Sequence, residues 1–210
     1  MNLKLTYFNV PFWRAEVSRL ALFIGEVPFD DVRPSREAFL AMKEAGELPY
    51  GQLPVLEVDG VQIAQSLAIA TLCGRISGLY PKSDMLAGAR VDEVLNTVSQ
   101  ITDLVAPTIR EPDPQVKAQR RAKLGAETLP HWFALLEKRL GENVDSPYFV
   151  GHTITIADLA IWRLGGWLSS GLLDGIPSTL LEPFPRLTLL CQTVDQRPDV
   201  RLWMETRYGH

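Results

Sequence analysis

The chain has 210 residues and a mass of 23.5 kDa, room for one large domain or two small ones. With 46% hydrophobic and 22% charged residues it has the make-up of an ordinary globular protein, which excludes a disordered, collagen-like or low-complexity chain. Its 21 Lys plus Arg against 25 Asp plus Glu leave a net charge of −4, which gives no general pull toward nucleic acid or anionic lipid.

Leu3 to Tyr7 reads as a short strand, and Arg14 to Phe23 as a helix whose face carries Val17, Leu20, Ala21 and Ile24. Phe29 to Val32 is a second strand, followed by an ambiguous helical stretch near Arg36 to Ala45. Val55-Leu-Glu-Val58 and Val61-Gln-Ile-Ala64 flank Asp59-Gly60, a pair that favours the positive φ angles of a tight hairpin turn. Ser66 then stands as an N-cap-type residue ahead of a helix from Leu67 to Ile76. A βαβ unit followed by ββα, with Leu53-Pro54 entering the hairpin, is the layout of a thioredoxin-like fold, and a cis bond at Pro54 is compatible with it.

The reading changes at Gly78-Leu-Tyr-Pro81-Lys-Ser-Asp84, so two domains are expected, 1–80 and 85–210. Beyond residue 84 the apolar spacing is helical over Ala87 to Ile109, Val116 to Leu140, Thr155 to Ser169 and Leu187 to Gln196. The fold class is therefore α/β plus all-α, with a thioredoxin-like N-terminal domain and a C-terminal helix bundle. Within the bundle, Thr155-Ile-Ala-Asp158 has the residues of a capping box, a structural device whose loss costs about 1 kcal/mol or more when buried.

Cys73 and Cys191 sit apart in apolar segments and read as reduced packing residues. His131, His152 and His210 are scattered without ligand spacing, so no metal site is expected. The start, MNLKLTYFNVPFWRAEV, lacks the pattern of a secretory signal, and no apolar run approaches the roughly 20 residues that span a bilayer. A cytoplasmic location is the expectation.

Tyr7-Phe8 at the end of the first strand, Arg14-Ala15-Glu16 opening the first helix, Gly51-Gln-Leu-Pro54-Val-Leu-Glu-Val-Asp-Gly60, Gln65-Ser66 and Thr155-Ile-Ala-Asp158 follow one another in an order that resembles the cytosolic glutathione S-transferases. The likeness covers nearly the whole chain and is greatest to the sigma branch and its alpha, mu and pi relatives. It implies glutathione as co-substrate, a tripeptide with two carboxylates, one ammonium and a thiol of pKa about 8.5 that must be ionised to attack. Tyr7 is then the residue whose O–H stabilises the thiolate; without the surrounding motifs, a packing residue under the sheet is the preferred reading. Arg14 adds positive charge near it. The resemblance assigns the γ-glutamyl carboxylate to Ser66 with Gln65 beside it, the cysteinyl main chain to Leu53 at Pro54, the glycine end to Gln52 and Lys43, and an aromatic wall to Phe39, where related sequences have Trp. For Ser66, simple N-capping is the plain alternative.

The apolar half of the cleft would draw on Phe8, Phe12, Trp13, Leu104 and Thr108. The family pattern has Gly before the Arg; here Phe12-Trp13 precede Arg14 in a segment one residue longer, which either lines the pocket or packs against the second domain. The stretch Lys43 to Tyr50 is about two residues longer than usual, and Gln100 stands where many relatives carry an acid, with Asp103 one turn on. The resemblance implies a homodimer, with Tyr50 either inserted into the neighbouring subunit or packed locally. The function expected is conjugation of glutathione to small apolar electrophiles. The alternatives are a glutathione-dependent isomerase or synthase and a non-catalytic ligand-binding or structural protein.

Overall fold

The computed structural model describes residues 1–209; His210, one of the three histidines noted above, lies outside them. The chain divides into two compact units, Met1–Gly88 together with the C-terminal segment from Pro198, and Ala89–Arg197.

The first unit runs β1 (Leu3–Thr6), α1 (Trp13–Ile24), β2 (Asp30–Val32), α2 (Arg36–Glu44), β3 (Val55–Val58), β4 (Val61–Ala64) and α3 (Ser66–Ser77). The four strands form one sheet in the order β2-β1-β3-β4. β1 and β2 are parallel, which requires a crossover, and α1 supplies it; the other two pairings are antiparallel. This is the thioredoxin-like arrangement. α1 packs on α3, burying Val17, Leu20 and Ala21 completely. The hairpin turn forms as its residues dictate, with Asp59 at φ 47° and Gly60 at φ 87°. α2 buries none of its residues; it starts where the Ser35 hydroxyl accepts the Ala38 N–H at 3.1 Å. The Leu53-Pro54 bond is cis.

The second unit is helical. α4 (Met85–Arg110) enters it after its first turn, followed by α5 (Pro114–Lys123), α6 (Leu129–Leu140), α7 (Ile156–Leu168) and α8 (Pro185–Asp195). α5 and α6 are joined through a π-helical turn, Leu124–Thr128. A side chain at Gly125 in that turn would stand 2.6 Å from the Gly175 carbonyl oxygen, so only glycine lets these backbones approach. At the start of α7 the buried Asp158 accepts the Thr155 N–H at 2.7 Å and the Thr155 hydroxyl at 2.8 Å on one oxygen, and the Phe149 N–H at 2.9 Å on the other.

A last helix, α9 (Pro198–Tyr208), belongs to the first unit and packs on α1. The sequence reading placed it with the bundle, because the spacing beyond Gln196 carries no sign of which core it serves.

Candidate active site

The strand register sets the site. Thr6 pairs with Val55 and Val55 with Ala64, so one row crosses β1, β3 and β4. The next residues outward, Tyr7, Pro54 and Gln65, leave the same end of the sheet. Two strand spacings make that edge about 10 Å wide, the scale of a short peptide.

Tyr7 is held by its N–H, which donates to the Val32 carbonyl at 3.0 Å, and is 7% exposed. Burial raises its phenol above the ordinary value, against the opposing pull of the Arg14 and Arg19 guanidiniums. The O–H therefore keeps its proton at neutral pH and can donate it in a hydrogen bond. An aromatic series leads away from it: the Tyr7 ring meets Phe8 edge-on at 5.5 Å, and Phe8 meets Phe39 of α2 at 5.2 Å.

Arg14 lies in the first turn of α1, with its guanidinium 5.1 Å from the centre of the Trp13 ring. Trp13 is only 1% exposed. It offers no open surface to a ligand, contrary to its assignment to the pocket; the aromatic face instead backs the Arg14 cation. Phe12, the residue before α1, stays half-buried and tilts toward Trp13 at 6.2 Å.

Ser66 is the first residue of α3 rather than its N-cap, and is buried. The N-cap position falls to Gln65, which holds φ 76° and ψ 118° and makes no side-chain capping bond. A non-glycine residue in that region costs about 1–3 kcal/mol, a strain found where a binding function demands it. With its first N–H groups uncapped by a side chain, α3 opens on a natural carboxylate site.

Lys43 lies against Gly51, the residue before Gln52: the place of a Gly51 side chain would be 3.5 Å from Lys43 Cε. Gln52 is exposed, Leu53 half-buried and Pro54 buried. Among the described residues, Leu53 enters no turn or loop backbone hydrogen bond. A 450 Å³ cavity elsewhere in this unit, lined by Lys4, Thr6, Met42, Leu48 and Glu57 among others, includes none of the expected site residues.

The remaining two lie on α4 in the second unit. Leu104 is 38% exposed. Thr108 is not a pocket surface: it is buried, its hydroxyl donates to the Val105 carbonyl at 2.8 Å and accepts from Arg121 Nε at 3.3 Å. Both hydrogen-bonding roles of that hydroxyl are taken up within its own unit.

Residues 3–71 match the family model for the glutathione S-transferase N-terminal domain and residues 100–207 that for the C-terminal domain. The chain belongs to the glutathione S-transferase family. It is 33% identical over 208 residues to a glutathione S-transferase of Anopheles gambiae, covering 97% of this chain and 96% of that one. It is 31% identical over 206 residues to the human hematopoietic prostaglandin D synthase, covering 98% and 96%. Among solved structures, prostaglandin synthase D of Nilaparvata lugens superposes with a TM-score of 0.86 at 28% identity, covering 99% of this chain and 98% of that one.

In this transferase the sequence reading named Glu16 only within the Arg14-Ala15-Glu16 run and overlooked Arg19; both are 0% exposed. Their charge sits three residues apart inside an otherwise apolar helix face, next to Val17 and Leu20, a spacing that brings them into contact. That was the available signal.

Proposed function

We propose that the protein conjugates glutathione to small apolar electrophiles, using Tyr7 to hold the sulfur as thiolate. One observation carries the reading: a buried phenol that keeps its proton, its ring centre 5.9 Å from the Arg19 guanidinium, shares a sheet end with Leu53-Pro54 and the strained Gln65 that opens α3.

The residues fit the tripeptide. Ser66 and the first N–H groups of α3 take the γ-glutamyl carboxylate, with Gln65 beside it. The main chain of Leu53 pairs with the cysteinyl residue as an added strand would, and Lys43 with Gln52 takes the glycine carboxylate. Phe8, Phe12 and Phe39 supply apolar surface near the sulfur. The Tyr7 O–H donates to the sulfur, and Arg14 adds positive charge at the same point. A shift of two pKa units, which would leave most of the thiol ionised at neutral pH, corresponds to about 2.7 kcal/mol, within reach of a charge-assisted hydrogen bond aided by a nearby cation. The thiol proton leaves to solvent, and the sulfur lone pair forms the bond to the electrophilic carbon. Gln100 offers no charge to the γ-glutamyl ammonium, so glutathione is held less tightly than where an acid stands there.

The exposed Tyr50, with 67% of its surface open, supports a homodimer in which it enters the second subunit. A cytoplasmic location accords with this reading.

The test is ultraviolet titration of glutathione bound to wild type and to Tyr7→Phe. The thiol pKa rises by about two units in the variant if the phenol is responsible; equal ionisation in the two proteins removes Tyr7 from the mechanism. Similarity to prostaglandin D synthases favours a second reading, a glutathione-dependent isomerase or synthase. The two separate on stoichiometry: conjugation consumes one glutathione per turnover, while isomerisation returns it.

A further inference from the structure

Arg19 lies at the centre of a buried charge cluster in the first unit. It has five N–H donors, and five acceptors surround it. Nε donates to Asp31 at 2.9 Å, one terminal nitrogen to Glu16 and to the Tyr208 hydroxyl, both at 3.3 Å, and the other to the backbone carbonyls of Tyr7 at 3.2 Å and Phe8 at 3.3 Å. The guanidinium also stands 5.9 Å from the centre of the Tyr7 ring. The two acids are held in turn. Glu16 accepts the Tyr208 hydroxyl at 2.6 Å and the Trp203 indole N–H at 2.5 Å, both from α9. Asp31 accepts Arg33 Nε at 2.8 Å, and the Arg33 guanidinium lies 5.0 Å from the Tyr208 ring. Two cations and two anions balance.

We infer that this cluster is a positioning device for the Tyr7 hydroxyl, in which α9 fixes Glu16, Glu16 and Asp31 fix Arg19, and Arg19 holds the carbonyls of Tyr7 and Phe8, those of the two peptide bonds that follow Tyr7. The inference rests on the role proposed for Tyr7. It has a clear physical basis: Tyr7 lies beyond the last residue of β1, where its N–H still bonds the Val32 carbonyl of β2 but its own carbonyl and that of Phe8 are taken by Arg19. A planar fork with every donor engaged sets that backbone to a few tenths of an ångström, and a hydrogen bond to a sulfur anion weakens steeply with misalignment. The charged and titratable groups that act on Tyr7 are Arg14 and Arg19 from α1, and those around Arg19 are Glu16 from α1, Asp31 and Arg33 from β2 and the loop after it, and Tyr208 from α9. The C-terminal helix thus reaches the Tyr7 backbone through one ion pair, Glu16 with Arg19.

Two variants test it, each read by the thiol pKa of bound glutathione and by separate kcat and KM values. Arg19→Lys keeps the charge but has three donors and no fork. Tyr208→Phe keeps the ring and removes one hydroxyl. Arg19→Lys is expected to raise the thiol pKa by about one unit and lower kcat about tenfold near neutral pH, with KM for glutathione changed less than about threefold, because Ser66, Gln65 and Gln52 are untouched. Tyr208→Phe is expected to move both quantities the same way by about half as much, and it decides the matter should Arg19→Lys fail to fold. A folded variant whose pH profile overlays that of wild type overturns the inference. Tyr7→Phe runs beside them. If it shifts the thiol pKa while the folded cluster variants do not, only the positioning role fails; if it leaves the pKa in place, the Tyr7 reading fails and the inference falls with it.

Discussion

Ser66 shows how a single position separates stability from binding. It heads α3 but does not occupy the N-cap position, so Ser66→Ala leaves the fold intact while removing a donor to a carboxylate. A hydrogen bond to a charged group is worth about 1.5–3 kcal/mol, so KM for glutathione should rise about ten- to a hundredfold, with the melting temperature unchanged. Unaltered affinity in steady-state kinetics would return this serine to a packing role. The cysteines make the opposite case. Burial pushes the thiols of Cys73 and Cys191 up to about 12, so neither has useful thiolate at neutral pH. A colorimetric thiol reagent should react with neither in the native protein and with both after denaturation; fast labelling of native protein would contradict this. The candidate site residues came from the motif order that resembles the family, and each motif is locally set: a phenol after a strand, a serine at a helix start, a Pro entering a hairpin. Burial was not legible. Trp13 and Thr108 have the residue types of a pocket wall, and only three-dimensional packing reveals that one backs Arg14 and the other bonds Val105 and Arg121.

At the level of elements, Asp158 ties the entry of α7 to two backbone N–H groups and one hydroxyl. Asp158→Asn replaces one acceptor oxygen by a donor and leaves a buried N–H unpaired, which should cost about 1–3 kcal/mol in urea denaturation at neutral pH. Burial pushes the Asp158 carboxyl up from its ordinary 3.8 to about 6. A folded-state pKa above the unfolded one means that the native state binds more protons in that window. The contribution is present below about pH 4 and is lost as pH rises through about 6. The stability gap between wild type and Asp158→Asn should therefore widen as pH falls from about 6 to about 4, and a gap independent of pH would show that the carboxyl is not desolvated. In the π-helical turn, Gly125→Ala forces a methyl group toward the Gly175 carbonyl oxygen and should destabilise by about 1–3 kcal/mol, measured the same way. The Asp59-Gly60 hairpin and the capping box were legible because three or four neighbouring residues suffice to set each. The π-helical turn was not, since the spacing from Val116 to Leu140 reads as a continuous helix and the reason for the turn lies in a loop fifty residues away.

For the molecule as a whole, the chain returns to its first unit at the end. Truncation after Arg197 removes Trp203, which is 1% exposed, and both α9 donors to Glu16. Loss of a buried Trp alone costs about 3–5 kcal/mol. The truncated protein should therefore show a much lower melting temperature by circular dichroism; an unchanged melt would mean that α9 adds nothing to the unit it packs on. The order of elements, the sheet topology they permit and the residue types at the sheet end were all determined by sequence, because hydrophobic period, turn chemistry and strand order act over short stretches. Only the tertiary structure decided that α9 joins the first unit, that its Trp203 and Tyr208 donate to Glu16, and that Arg19 grips the backbone at Tyr7. The Tyr208–Glu16 hydrogen bond joins residues 192 positions apart, and a contact between such distant groups has no periodicity to betray it: it exists because burial leaves each polar group no water to turn to.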